Sequence, residues 1–302
     1  MTGYEVKFNG KLIIYVIHWA CNVRCYYCGI PVNVKTNHSQ LKRFENGKYI
    51  GDMNFGEGNT YVLSGGEPLI TPKISEFVSS IVRNKCRFSI YTNLSMDVSW
   101  LEKYSNNIDY IMASIIPQYD ICLDSFIEKI EKLRENGIYV LTRLVATKER
   151  IGLVKKYSEI FSKKDIPFVA YPEYKYGGEP GVIAHYTDSE KKIIMENSNY
   201  IGKLNLQHHG IVGKCSECPA GIKSMQVNPA ENISQCANCE TVTGTLRKAI
   251  FFGTPNTCNE CCTCDIHYFY GLNGMKVPLD DKSIEGYNNW IERNKLEGKW
   301  FR

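Results

Sequence analysis

The sequence predicts an α/β fold, namely a partial (β/α)6 barrel of parallel strands followed by a small cysteine-rich C-terminal domain. Two observations lead to this prediction. Strand-like and helix-like segments alternate from residue 11 to about 171, which is typical of parallel sheets with right-handed crossovers. The 13 cysteines are also unevenly distributed, with three at 21–28 and eight at 215–264. We therefore predict two domains, residues 1–205 and residues 206–302.

Six short apolar runs predict the strands of the barrel. They are KLIIYVI (11–17), TYVLS (60–64), RFSIYTN (87–93), IDYIMASII (108–116), IYVLTRLVA (138–146) and IPFVAY (166–171). A barrel of this type carries its site at the carboxyl ends of the strands. The functional residues are therefore expected in the loops that follow these runs.

Helices are predicted between the strands and in the C-terminal tail. They cover residues 72–83, 96–105, 123–137, 148–162 and 187–200, and a further amphipathic helix begins at about Ser283. Pro72 is expected in the first turn of its helix. The segment 123–137 has the clearest helical spacing, and Gly137 suits its C-terminal end. Its apolar residues are Leu123, Phe126, Ile127, Ile130 and Leu133.

Composition narrows the class of protein. With 302 residues, 43% of them hydrophobic, the chain can bury a full core. A formal net charge of +4 is small for a nucleic-acid-binding chain, and the apolar run at 12–17 is too short to cross a membrane. Thirteen cysteines in a chain of this length indicate thiolates bound to metal in a reducing compartment. We expect a cytoplasmic protein that binds neither nucleic acid nor membrane.

The segment CNVRCYYC follows the first predicted strand and contains Cys21, Cys25 and Cys28. Three thiolates can bind three irons of a cubane iron–sulfur cluster and leave the fourth iron open. An open metal position is typical of catalytic sites. The alternative is a structural zinc site completed by His18 or His38.

This loop resembles the CxxxCxxC motif of the radical S-adenosylmethionine (radical SAM) superfamily, with the aromatic Tyr27 before the last cysteine. SGGEP at 64–68 ends the second predicted strand, where that family has its GGE motif. YTN at 91–93 ends the third, Ser114 lies in the fourth and Arg143 lies in the fifth. The resemblance covers about the first 170 residues.

The resemblance implies a [4Fe-4S] cluster on the three cysteines and S-adenosylmethionine on its open iron. One-electron reduction then yields methionine and a 5′-deoxyadenosyl radical, which abstracts a hydrogen atom from substrate. Flavodoxin or ferredoxin would donate the electron. The residues implied in cofactor binding are Tyr27, Gly65, Gly66, Glu67, Asn93, Ser114 and Arg143.

The second group of cysteines reads CSEC, CANC and CNECCTC. Residues 218–236 are similar to the start of the auxiliary-cluster domains called twitch and SPASM, where a hairpin follows a cysteine. Glu231 stands where the hairpin turn of those domains usually has glycine, and the adjacent Asn232 tolerates a left-handed conformation. Taken alone, the first two cysteine pairs also fit a zinc ribbon.

The resemblance implies one auxiliary [4Fe-4S] cluster, while eight cysteines would suffice for two. A thiol without a metal could return a hydrogen atom to the substrate. The expected ligands are Cys218, Cys236, Cys261 and Cys264, with Cys258 or Cys262 as alternatives to Cys261. The candidate hydrogen-atom donors are Cys215, Cys239, Cys258, Cys261 and Cys262.

Three hypotheses for function follow. The first is epimerisation, dehydrogenation or dehydration of a carbohydrate or sugar-containing small molecule. The second is modification of a ribosomally made peptide by epimerisation or by a thioether or carbon–carbon crosslink. Because about ten residues precede the first predicted strand, a leader-binding module would then be a separate protein. The third is a non-catalytic zinc-binding protein.

Overall fold

The computed structural model of the chain describes residues 12–45, 57–118, 122–173, 186–198, 224–236 and 242–245. These residues belong to two compact units. The described parts of the larger unit lie within Val6–Val140 and Pro219–Pro255, and those of the smaller unit lie within Leu141–Cys218. The predicted boundary between residues 205 and 206 falls outside the described residues, as does the predicted helix from Ser283.

The described residues form nine strands and six α-helices. The strands are β1 (Leu12–His18), β2 (Thr60–Gly65), β3 (Arg87–Thr92), β4 (Ile108–Ser114), β5 (Val140–Ala146), β6 (Phe168–Pro172), β7 (Ser224–Val227), β8 (Asn232–Ser234) and β9 (Val242–Thr245). The helices are α1 (Val32–Lys35), α2 (Lys42–Glu45), α3 (Ile74–Arg83), α4 (Leu123–Glu135), α5 (Ile151–Ser162) and α6 (Asp188–Asn197). Short 3₁₀ helices cover His38–Leu41, Pro68–Ile70, Ser99–Asn107 and Lys148–Arg150.

The sheet of the larger unit has the order β4-β3-β2-β1-β7-β8-β9. Strand β1 pairs in parallel with β2 on one side and with β7 on the other. All seven residues of β1 are buried, as expected for a central parallel strand covered on both faces. The predicted α/β fold with a mostly parallel sheet is confirmed, and the six predicted strands are present.

Helices α3 and α4 bury their apolar faces within the larger unit. Phe77 of α3 packs against Tyr15 of β1, with ring centroids 5.6 Å apart. In α4 the predicted spacing is confirmed by the burial of Phe126, Ile127, Ile130 and Leu133. Gly137 follows α4 with a φ of +80° and donates its N–H to Arg134, so it ends the helix as predicted.

Two local predictions were wrong in detail. Helix α3 begins at Ile74 because Lys73 adopts a left-handed conformation (φ 58°), so Pro72 precedes the helix. The segment predicted as a helix at 96–105 is a 3₁₀ helix over Ser99–Asn107. Its buried residues, Leu101 and Tyr104, are three apart, which matches the three-residue turn of this helix. Helices α1 and α2 were not predicted.

The smaller unit contains the parallel pair β5 and β6 with helices α5 and α6. Phe161 of α5 stacks on Phe168 of β6, with ring centroids 5.6 Å apart. Helix α6 begins with a capping box, in which Thr187 and Glu190 bind each other's backbone N–H groups. The helices predicted at 148–162 and 187–200 are therefore present as α5 and α6, and each is a few residues shorter than predicted.

A β-hairpin lies between Cys218 and Cys236 in the sequence, where one is predicted. Strands β7 and β8 are antiparallel, and Asn228 Oδ1 accepts hydrogen bonds from the N–H groups of Ala230 and Asn232. Glu231 adopts the left-handed conformation, with φ at 64°. The predicted hairpin is therefore formed, but Glu231 itself, and not Asn232, takes the conformation that glycine usually supplies.

Within the part of the chain that the structure describes, no helix has the length and apolar character needed to cross a membrane.

Candidate active site at the first cysteine loop

The three N-terminal cysteines lie together in the loop that follows β1, which we call the cysteine loop (residues 19–31). Cys21 and Cys25 are buried and Cys28 is half-buried. They pack in one cluster with Val23, Ile116 and Tyr27. The loop thus places three thiols in apolar surroundings at the carboxyl end of a central strand.

The end of helix α1 holds the cysteine loop from one side. The N–H of Cys21 donates to the carbonyl oxygen of Lys35 (3.0 Å), and the Lys35 ammonium donates to the carbonyl oxygen of Cys25 (3.2 Å). Within the loop, the N–H of Cys28 donates to the carbonyl oxygen of Cys25 (3.2 Å). All three cysteines are therefore held by hydrogen bonds to their main-chain atoms.

The SGGEP segment holds the cysteine loop from the other side. The N–H of Gly66 donates to His18 (2.8 Å), and the N–H of Glu67 donates to Ala20 (3.0 Å). A Cβ atom on Gly66 would lie 2.0 Å from the carbonyl oxygen of Ala20. One on Gly65, whose φ is +138°, would lie 2.1 Å from that of His18. Both glycines are thus required for close approach of two backbone segments.

The carboxylate of Glu67 is buried and bound by three donors of the protein. Its Oε1 accepts from the Thr92 hydroxyl (2.7 Å) and the N–H of Leu69 (3.0 Å), and Oε2 accepts from the N–H of Asn93 (2.7 Å). Burial raises the pKa of Glu67 to about 7, although these three hydrogen bonds lower it. Glu67 therefore joins the end of β2 to the end of β3.

Asn93 extends this connection into the cysteine loop. Its Nδ2 donates to Asn22 Oδ1 (3.0 Å), and its Oδ1 accepts from the N–H of Ser95 (2.9 Å). The Asn22 amide in turn donates to the Ser95 hydroxyl (2.7 Å). A continuous network thus runs from Glu67 through Asn93 to the residue that follows Cys21.

The environment of the thiols fits an iron–sulfur group. Burial, together with the nearby Glu67, Cys25 and Cys28, raises the pKa of Cys21 to about 11. The thiol is therefore neutral unless a cation binds, and metal binding would convert it to a thiolate. Sulfur is the donor that iron–sulfur clusters require, and the apolar neighbours exclude water. The described residues contain no group of three or more His, Cys, Asp or Glu positioned around a single ion.

His18 and His38, the alternative zinc ligands, make no contact with the three thiols among the contacts described above. His18 is fully buried, and its Nε2 lies 2.8 Å from the Thr71 hydroxyl. Because that hydroxyl donates to Pro68, the His18 ring is the donor. Burial, with Arg43 nearby, lowers the pKa of His18 to about 4. The side chain of His38 is exposed.

The structure brings most, but not all, of the predicted cofactor residues together. Tyr27 lies within the cysteine loop and packs against its thiols. Gly65, Gly66, Glu67 and Asn93 lie next to the loop through the contacts above, and Ser114 ends β4 in the same unit. Arg143 belongs to the smaller unit, where its guanidinium lies 5.4 Å from the ring centroid of Tyr171. Cys236 is half-buried after β8. The predicted sites outside the described residues are Cys215, Cys218, Cys239, Cys258, Cys261, Cys262 and Cys264.

Sequence reasoning missed Asn22, Lys35 and the binding role of Thr92. Thr92 directly precedes Asn93 in the YTN segment, so its position in the sequence could have identified it as a site residue. Asn22 lies between two cysteines and could have been noted as an amide beside a ligand. Lys35 gave no signal, because lysine is almost always exposed and four residues of helix have no informative periodicity.

Comparison with known proteins bears on the same region. Residues 15–116 match the sequence model of the Radical SAM superfamily. The matched segment begins within β1 and contains the cysteine loop, SGGEP and strands β2 to β4. No protein of curated function matches the chain.

Several solved structures share the fold of this chain. Streptococcus suis SuiB bound to S-adenosylmethionine has a TM-score of 0.54 at 14% identity, covering 80% of this chain and 64% of SuiB. SuiB bound to the precursor peptide SuiA has a TM-score of 0.51 at 15% identity, covering 75% and 59%. The protein anSMEcpe with bound AdoMet has a TM-score of 0.50 at 15% identity, covering 78% of each chain. The chain thus spans less than two thirds of SuiB.

Replacing Gly66 with Ala is expected to destabilise the protein by about 1–3 kcal/mol, because the new methyl group would overlap the backbone of Ala20. Urea unfolding measures this loss. The matched control is Gly152→Ala in α5, where a Cβ atom meets nothing within 4 Å. That variant should be as stable as the wild type or gain up to about 1 kcal/mol. Equal stability of the two variants would contradict the close approach of the two segments.

Replacing Glu67 with Gln is expected to change the pH dependence of stability. Because burial raises the folded pKa from 4.5 to about 7, the folded state binds the Glu67 proton more tightly than the unfolded chain does. The stability of the wild type relative to Glu67→Gln should therefore fall between about pH 4.5 and pH 7, by up to about 3 kcal/mol, and stay constant above that.

Urea unfolding of the metal-free proteins at a series of pH values tests this expectation. Glu76→Gln is the matched control, because it makes the same substitution at an exposed position on α3, away from the buried carboxylate of Glu67. A difference between wild type and Glu67→Gln that does not vary with pH would mean that Glu67 has an ordinary pKa in the folded protein.

Proposed function

We propose that this chain is a radical SAM enzyme. In the proposed site, Cys21, Cys25 and Cys28 bind a [4Fe-4S] cluster that has one iron free for S-adenosylmethionine. When bound, the two cofactors supply one-electron reductive cleavage to methionine and a 5′-deoxyadenosyl radical that abstracts a substrate hydrogen atom. The observation that carries the proposal is the buried three-thiol loop, fixed by backbone hydrogen bonds to SGGEP within the segment that matches the superfamily.

In this proposal the protein positions the cofactors and excludes water. Helix α1 holds the cysteine loop at Cys21 and SGGEP holds it at Ala20, so the three thiols are positioned before a cluster binds. Gly65 and Gly66 present their backbone beside the loop, while Tyr27, Ser114 and Arg143 are further proposed contacts to S-adenosylmethionine. Because its oxygens already accept three hydrogen bonds, Glu67 is proposed to position Asn93 and the loop rather than to bind the substrate amine by itself.

We propose a peptide as the substrate. SuiB, which shares the fold, is bound to a precursor peptide in its solved structure. The carbohydrate substrate expected from the sequence has no comparable support. Hydrogen abstraction from a peptide carbon would serve epimerisation as well as thioether or carbon–carbon crosslinking.

We further propose one auxiliary [4Fe-4S] cluster bound by Cys218, Cys236, Cys261 and Cys264, with flavodoxin or ferredoxin as electron donor. The hairpin of β7 and β8 supports this proposal. It ends two residues before Cys236 and extends the sheet beside β1. The guanidinium of Arg43 donates to carbonyl oxygens of Ile17 in β1 and of Pro229 in the hairpin turn. The hairpin is therefore attached to the strand that leads into the cysteine loop.

Replacing Cys21, Cys25 and Cys28 together by Ala is expected to remove about four irons from the reconstituted protein and all cleavage of S-adenosylmethionine. Iron and sulfide analysis and assay of 5′-deoxyadenosine measure these losses. The variant should retain about four irons and four sulfides in the auxiliary cluster. Unchanged cleavage would refute the proposed active site. Retained zinc without sulfide would refute the auxiliary cluster and favour a zinc ribbon.

Deuterium transfer tests the substrate class. Reduced, reconstituted enzyme would be incubated with a tryptic digest of uniformly deuterated protein or with a panel of uniformly deuterated sugars. A peptide substrate predicts deuterium in 5′-deoxyadenosine from the digest alone, detected by mass spectrometry. The Cys21, Cys25 and Cys28 triple variant is the control for background. Transfer from sugars and not from peptides would overturn the peptide proposal.

A further inference from the structure

A lysine ammonium is buried beneath the cysteine loop. Lys35 is only 1% exposed, and its Nζ donates to the carbonyl oxygen of Cys25 at 3.2 Å. Among the described residues this carbonyl is its hydrogen-bond partner, and none of them forms an ion pair with it. The ammonium has three N–H donors, and the described residues provide a hydrogen-bond acceptor for one of them.

Burying such a charge is unfavourable unless an opposite charge lies nearby. Neutral thiols do not supply one. A cluster bound by Cys21, Cys25 and Cys28 would, because three thiolates carry more negative charge than an oxidised [4Fe-4S] core carries positive charge. Reduction by one electron increases that excess. A fixed cation beside the loop therefore favours the reduced form of the cluster.

The other basic residues near the loop are engaged or exposed. Arg43 donates to the carbonyl oxygens of Ile17 and Pro229, and its guanidinium lies 4.8 Å from the ring centroid of Phe44. Arg24 and Lys42 are exposed, where solvent screens their charges. Lys35 is the buried cation among them. Its main chain is also fixed to the loop, because its carbonyl oxygen accepts from the N–H of Cys21.

We propose that Lys35 is the buried counter-cation of the cluster on the cysteine loop and that it raises the reduction potential of this cluster. Net charge around an iron–sulfur cluster is one of the properties through which a protein sets this potential. Lys35 thereby eases the one-electron reduction on which the reaction depends. It is a positioning residue, since it acts through the loop and its charge. The inference rests on the proposed function.

Three variants separate the charge of Lys35 from its hydrogen bond. Lys35→Met removes both, Lys35→Gln removes the charge and keeps an N–H donor, and Lys35→Arg keeps the charge. Lys42→Met is the matched control, because it removes the same charge from an exposed position. The readout is an EPR-monitored redox titration of the reconstituted protein. The signal followed is the one that disappears when Cys21, Cys25 and Cys28 are replaced by Ala.

Lys35→Met and Lys35→Gln should each lower the potential, so that the ratio of reduced to oxidised cluster at the wild-type midpoint falls about tenfold, which is about 59 mV for a one-electron couple. Lys35→Arg and Lys42→Met should stay within about threefold of wild type, or about 30 mV. The metal-free Lys35→Met protein should unfold at the same or a higher temperature than the metal-free wild type, because it lacks the buried charge.

An unchanged potential in both neutral variants with full cluster content would overturn the inference. So would a lower potential in Lys35→Met with a wild-type value in Lys35→Gln, because the hydrogen bond alone would then matter. A lower unfolding temperature of metal-free Lys35→Met with an unchanged potential would make Lys35 a purely structural residue. If the wild type shows no signal that depends on the three cysteines, the proposed function fails as well, and this outcome is distinct from the others.

Discussion

The close approach of SGGEP to the residues entering the cysteine loop is the constraint on which the rest of the site depends. Gly66 and Glu67 continue the pairing of β2 with β1 past the end of the strand, through hydrogen bonds to His18 and Ala20. Any side chain on either glycine would overlap these carbonyl oxygens. The cysteine loop is therefore fixed at Ala20, one residue before the first thiol.

The polar groups around the loop follow from this constraint. Because the backbone of Glu67 is fixed, its buried carboxylate meets Thr92 and Asn93 at the end of β3, and Asn93 reaches back to Asn22 in the loop. Three strand ends and the cysteine loop thus share one hydrogen-bond network. On the opposite side Lys35 contacts the loop through its main chain and its side chain. A rigid frame of this kind suits the proposed cluster site, in which three thiols must be held in place before the metal binds.

The sequence predicted the strands well and the loops poorly, for physical reasons. Parallel strands that are covered on both faces are almost entirely apolar. The strands β1 to β6 therefore appear in the sequence as short apolar runs that are easily recognised. The motif residues were found because their order along the chain is distinctive. The contacts of Glu67 could not be predicted, because a carboxylate suits a ligand amine and three protein donors equally well. Lys35 could not be found, because its burial depends on the path of the chain between β1 and β2.

In the proposed function, the cysteine loop binds a cluster whose open iron binds S-adenosylmethionine. Electron–nuclear double resonance of the reduced protein, with S-adenosylmethionine labelled by ¹⁵N in the amino group and ¹⁷O in the carboxylate, measures this most directly. If S-adenosylmethionine binds the open iron through both groups, both labels show hyperfine coupling to the cluster signal. Absence of coupling in protein that has its full cluster content and is saturated with S-adenosylmethionine would contradict this binding.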